Sequence, residues 1–387
     1  MKSPSEKSVI QIPLKIALSP EGVNLFLQNR RPLQKIRFAD TRETFGLVVN
    51  GINAQTLSQL LSKHYVDGIE ASDSDILSRR DDILTLNRML FRALLQERFN
   101  EDLKRVLLKS RMVAHWNRTN PQKAITENTV VSEAAQKQLL QSHGEVFQRI
   151  QGILLAPVYF AVEKEQGAET PEAALQKEVA REFFLHQAPF TWYLFAFIKD
   201  RDDKSLYTAV SDLILQYVRR SKIGDFLGAT LIELIMNTEN ANIYSFATRK
   251  NIPGIKIDQI FFDQKLRNMV LTHMSKEEQK LYVMWLFKTV EARQGSAVRF
   301  QISVYNREYR AHLTQESLHD TKAALTEQSL EQYLASGGDI PFGSIDMTGF
   351  YIQSLKQECE AVSIHFDATI THLSRNDAAA VTLTLQI

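Results

Sequence analysis

The sequence has one cysteine, Cys359, no long apolar run and almost no excess of charge. A single cysteine excludes an intramolecular disulfide and suits a reducing compartment. The most apolar stretch, residues 188–198 (APFTWYLFAFI), falls short of the ~20 residues that a membrane span needs and fits a buried helix or a contact surface. Lys and Arg number 46 against 45 Asp and Glu, a net charge of +1. That balance leaves no electrostatic footprint for nucleic acid or an anionic membrane. The opening MKSPSEKSVIQ lacks an apolar h-region, so no secretory signal is expected. The nine histidines are scattered, and none falls at the spacing of a metal site. Walker, Rossmann and nucleophile-elbow motifs are missing. These absences point to a soluble, cytoplasmic protein that binds neither nucleic acid nor membrane.

What is present is enough chain for two domains. A domain holds ~100–200 residues, the chain has 387, and 44% of them are hydrophobic, which supplies a substantial core. Helical periodicity runs over 73–112, where Ile83, Leu86, Leu90, Ala93 and Leu94 form one stripe and Phe99, Leu103, Val106 and Leu107 extend it. Ser72, Asp73 and Ser74 are candidate caps. A polar stretch over 117–129 reads as a linker. A helix is expected over 132–154, ended by Pro157, with a short strand at 158–162 (VYFAV). Thr170-Pro171-Glu172 is a helix start, with cap, proline in the first turn and an acid at the positive end of the dipole. A further helix covers 206–218. Earlier, KIRF (35–38) and FGLVV (45–49) are candidate strands.

The C-terminal part changes character. VRFQISVY (298–305), VSIHFDATI (362–370) and VTLTLQI (381–387) alternate apolar and polar residues, as half-buried strands do. One apolar and one polar face suits an antiparallel sheet with helices on one side. The fold class is therefore α+β. A mostly helical region over 1–203, regulatory or interaction-forming, is followed over 204–387 by a two-layer α/β sandwich.

The segment GDFLGATLIELIMNTENANIY (224–244) carries the chemistry. As a helix, it buries Leu227, Leu231, Leu234 and Ile235. Glu233, Asn237 and Asn240, at i, i+4 and i+7, align on a separate face that holds one carboxylate, two amides and no cation. ELIMNTENA (233–241) resembles the N-box of the GHKL (histidine-kinase-type) ATPases. The resemblance covers 204–387 and implies binding of ATP with Mg²⁺. Asn237 would ligate the metal and Glu233 would act on the attacking water. Asn240 would face the phosphates. Asn306 stands where the family places an adenine-reading Asp, while Glu308 and Arg310 replace the glycines that follow it. Gly337, Gly338 and Gly343 would belong to the ATP lid, and Gly349 would open the next helix, whose free N–H groups suit phosphate. Residues 244–296 exceed the family pattern and read as a helical insertion.

The resemblance implies a signalling protein like the anti-sigma or partner-switching kinases. The alternative is a pseudo-ATPase scaffold or protein-interaction module that has lost its nucleotide. A protein partner is expected, and a homodimer stays open.

Overall fold

Period-two stretches at both ends of the chain become strands of one sheet in the computed structural model. It describes residues 9–40, 42–129, 132–142, 144–185, 204–252, 259–260, 263–292, 295–306, 348–373 and 378–387. In chain order the elements are β1 (Val9–Ile10), β2 (Leu14–Leu18), α1 (Pro20–Gln28), β3 (Gln34–Arg37), β4 (Glu43–Val49), β5 (Ile52–Asn53), α2 (Ala54–Ser62) and β6 (Val66–Asp73). There follow α3 (Arg80–Leu108), α4 (Arg111–Thr119), α5 (Glu133–Ser142), α6 (Gly144–Gln166), α7 (Pro171–Leu185) and α8 (Lys204–Ser221). The last group is α9 (Ile223–Lys250), α10 (Gln264–Lys276), β7 (Leu281–Ala292), β8 (Gly295–Asn306), α11 (Thr348–Ala361), β9 (His365–Leu373) and β10 (Ala378–Gln386).

Two compact units divide the chain: 1–93 with 223–387, and 94–222. These boundaries are not at residue 203. The first unit takes its sheet from both ends of the sequence.

That sheet is antiparallel, eight-stranded among the described residues, in the order β3-β4-β2-β6-β7-β8-β10-β9. Its first four strands, with α1 and α2, follow the split βαβ order. Register fixes the faces. Ile16, Ile69, Trp285, Ile302, Leu383 and Ala368 lie side by side across six strands, and none is more than 1% exposed. The neighbouring row on the opposite face reads Lys15, Glu70, Met284, Ser303, Thr382 and Thr369. The first row is apolar and carries the main core; the second is largely polar, although its face also buries a cluster that includes Ala17, Met284, Leu286 and Tyr305.

Helices cover the apolar face. Phe91, in the first half of α3, meets Phe300 of β8 at 6.3 Å between ring centroids. Asn87, fully buried, donates to the carbonyl of Gly224 (3.1 Å) and accepts from the indole of Trp285 (3.4 Å). Gly224 and Gly228 let α9 approach closely, since a Cβ on Gly228 would come within 3.0 Å of Leu84. α9 also packs on α11 and β8.

In the second unit α6, α7 and α8 pack together. Phe183 stacks on Tyr217 at 4.2 Å, and Phe99 meets Tyr217 edge-on at 5.6 Å. Arg220 lies over the Phe99 ring, and Arg219 pairs with Glu165. Among the described residues no helix is long and apolar enough to cross a membrane.

Several expectations are corrected. The N-terminal region is not mostly helical throughout, because residues 9–73 contain β1–β6. The candidate strands at 35–38 and 45–49 are β3 and β4, whereas β2 and β6 were not read as strands; β6 carries a run of buried residues, Gly68–Ala71, in place of alternation. Helix α3 starts at Arg80 rather than near Asp73, because Val66–Asp73 is a strand in the sheet. The expected strand at 158–162 is helix, since α6 continues through Pro157 to Gln166. The supposed helical insertion is half right. Its Gln264–Lys276 is helical, but Leu281–Ala292 is β7, paired with both β6 and β8. A strand with apolar residues on both faces lacks the alternation that would mark it. The apolar segment 188–198 lies outside the described residues.

Candidate functional site

Helix α9 buries Leu227, Leu231, Leu234 and Ile235, each no more than 1% exposed. With that stripe facing the core, Glu233 and Asn237 fall on the flank that meets α11. The Asn237 amide donates to Glu233 Oε1 at 3.2 Å and to Thr348 Oγ1 at 2.9 Å. Glu233 is itself buried at 7% exposure. Thr348, fully buried, is the first residue of α11, and Gly349 is the second. The first-turn N–H groups of a helix lack intrahelical acceptors and carry the positive end of its dipole. Asn237 therefore sits against an end of α11 that favours negative charge. Thr230, one turn before Leu234 and wholly buried, reaches the Tyr351 carbonyl at 3.4 Å and tightens the same contact.

Asn240 belongs to a second cluster. Its Oδ1 accepts from Arg267 Nη1 of α10 at 2.7 Å. The other guanidinium nitrogen donates to Glu239 Oε1 at 2.5 Å, and the Leu77 amide donates to Glu239 Oε2 at 3.1 Å. Glu239 is 1% exposed. Burial pushes its carboxyl up to about 7, with Asp75 adding to the rise and the Leu77 amide and Arg267 opposing it. Desolvation outweighs the ion pair here because so little water reaches the carboxylate. The cluster ties α9, α10 and the turn after β6 together.

Of the sequence-derived candidates, Glu233 and Asn237 come together, and Gly349 stands in the first turn of the helix beside them. Asn240 points to Arg267. Asn306 ends β8, opposite Ala379 of β10. Gly337, Gly338 and Gly343 lie outside the described residues. Three participants were missed: Thr348, Arg267 and Glu239. Glu239 was detectable, because it falls between Ile235 and Ile243 at four-residue spacing and so belongs to a buried stripe. Arg267 lay in the segment read as an insertion. Among the described residues no three His, Cys, Asp or Glu side chains gather as a metal site.

Residues 5–387 match the Family of unknown function (DUF8084). The chain belongs to that family. It is also similar to a Treponema pallidum (strain Nichols) protein described as uncharacterized, with 22% identity over 390 residues and the full length of both chains covered. No solved structure matches.

Proposed function

We propose that this chain is a cytoplasmic signalling protein whose C-terminal elements bind ATP with Mg²⁺ in the manner of the GHKL ATPases, as in anti-sigma or partner-switching kinases. The observation that carries the reading is the contact of Asn237 with Thr348 at the start of α11. It joins the N-box-like helix to the helix end that would take phosphate. Element order supports the same reading: α9, then β7 and β8, then α11, β9 and β10, with the strands side by side as β7-β8-β10-β9.

The residues present fit such a ligand. The Asn237 carbonyl oxygen is a hard donor of the kind Mg²⁺ takes while keeping waters and phosphate oxygens. Glu233, one turn earlier, holds the Asn237 amide and stands as the carboxylate that would accept a proton from an attacking water. Thr348 fixes the same amide from the other side. Bound ATP with Mg²⁺ would supply the phosphoryl group for transfer or hydrolysis.

The second reading is a pseudo-ATPase that binds protein and no nucleotide. The capture of Asn240 by Arg267 favours it, as do Glu308 and Arg310 at the two glycine positions. Titration calorimetry with ATP and Mg²⁺ separates the two. The first expects saturable heat that is lost in Asn237→Ala. A wild-type chain that binds no nucleotide leaves the second.

A further inference from the structure

Helix α6 carries an apolar face turned to solvent. Phe160 is 70% exposed and Ile153 43% exposed, and Gly152, Ala156 and Pro157 are exposed beside them. The other side of the helix is core: Ile150, Leu154, Leu155, Val158 and Val162 are no more than 3% exposed. Exposed apolar residues scattered singly need no explanation, but several on one helix face mark a contact.

The face also has a charge order. At roughly 100° per residue, Arg149, Gly152, Ile153, Phe160 and Glu163 all project within about 60° of the direction of Ala156. Arg149 is exposed at the N-terminal end of this stripe. Glu163 lies at the C-terminal end, its side chain 39% exposed, and accepts from Lys177 at 2.5 Å.

We infer that this face is a homodimer contact, in which α6 packs antiparallel on α6 of a second copy about a two-fold axis through Ala156. That axis sets each residue as far from Ala156 as its opposite number, on the other side. Phe160 of one copy then covers Gly152 of the other, and Arg149 faces Glu163. Alanine meets alanine at the axis, where small side chains let the backbones approach. Bulk is opposite a gap and base is opposite acid, twice over, as a self-complementary contact requires. A parallel pairing would place Arg149 on Arg149 and Phe160 on Phe160, so charge and shape both select the antiparallel one. Pro157 lies on the flank and does not obstruct the seam. One helical stripe is smaller than the ~800 Å² per partner of a standard interface, so the dimer should dissociate on dilution through the micromolar range.

Sedimentation equilibrium on the full chain tests this. The wild type is expected to shift from monomer to dimer with concentration. Phe160→Ser should weaken association by roughly tenfold or more, since each dimer buries two such rings. Arg149→Glu and Glu163→Arg should each weaken it, and the two together should restore it. Phe160 is exposed, so a Phe160→Ser melting temperature near the wild type's confirms that folding is intact, while the double variant's regained association separates a contact between copies from the loss of the Glu163–Lys177 pair. A chain monomeric at every concentration overturns the inference, and so does a dimer indifferent to all three changes. A monomer that floats with anionic vesicles, but not after Phe160→Ser, would assign the face to a lipid surface and overturn it too.

Discussion

The Asn237 amide donates to the Thr348 hydroxyl at 2.9 Å across 111 residues of sequence. This bond locks the polar flank of α9 to the first turn of α11. Thr348→Val keeps the shape and removes the acceptor, leaving the Asn237 donor without it. The expected cost is about 1 kcal/mol, near the low end for a lost internal hydrogen bond because Asn237 is only half-buried. Thermal melting reads that cost. Calorimetry reads the function: Thr348→Val should weaken Mg²⁺-ATP binding, and Asn237→Ala should abolish it. Undiminished affinity in Asn237→Ala would remove α9 from any nucleotide site.

Glu239 makes the stability of the first unit depend on pH. Its carboxyl is raised from 4.5 to about 7, chiefly by burial. A raised folded-state pKa means that the folded chain holds the proton more tightly. The contribution is therefore complete below about 4.5 and is lost as pH rises toward about 7. Glu239→Gln resembles the protonated form at every pH. Its melting temperature should gain on the wild type's as pH rises through that window. Arg267→Ala strips the buried carboxylate of its cation and should cost a few kcal/mol above neutrality, and less in acid. Parallel pH profiles for Glu239→Gln and wild type would show that Glu239 does not titrate there.

The sequence made legible the elements whose buried and exposed residues alternate regularly, and hid those buried on both sides. β8 and β10 alternate strictly and were readable, as were α7 from its Thr170-Pro171 start and the buried stripe of α9. β7 was not. It is flanked by β6 and β8 and holds Val283, Met284, Trp285 and Leu286 in succession, all buried, so both faces are apolar and period two vanishes. The pairing of β6 with β7 joins residues about 200 positions apart, and no local pattern encodes that. At the candidate site, Glu233 and Asn237 declared themselves by spacing. Thr348 did not, because a lone threonine before a helix reads as a cap, and only folding shows which side chain it meets.

Cys359 reports on α11. It is fully buried, and burial pushes its thiol up to about 12, with Glu358 and Glu360 adding to the rise. The thiolate is the reactive form, so iodoacetamide should label the folded chain very slowly at neutral pH and the denatured chain fast. Labelling in the folded state then measures opening of α11. Under the nucleotide reading, Mg²⁺-ATP should slow it further by holding the helix end beside Thr348. Rapid labelling without denaturant would mean that α11 is not stably packed.

Lys15 and Glu70 form an ion pair on the sheet face that also buries Ala17, Met284 and Leu286, and its energetics can be separated by experiment. Glu70 is 1% exposed; its Oε1 accepts from Lys15 at 2.6 Å and its Oε2 from the Ala39 amide at 2.6 Å. Lys15 also donates to the Arg37 carbonyl at 2.7 Å, so one ammonium ties β2, β3 and β6 together. Burial raises the Glu70 carboxyl above its ordinary value, against the pull of Lys15 and the Ala39 amide. Removing the cation should raise it further. Lys15→Met therefore leaves a buried charge that only a proton can neutralise. Its penalty should be about 3–5 kcal/mol in alkaline solution, where the carboxylate is ionised, and should shrink as pH falls through the raised pKa. Pairing it with Glu70→Met removes both charges and should recover most of the loss, because the desolvation cost disappears with the ion pair. Urea unfolding of the wild type, the single variant and the double variant, in acid and in alkali, measures each step. A Lys15→Met penalty that is the same at both pH values would mean that Lys15 acts by packing and its bond to Arg37, not by balancing the charge of Glu70.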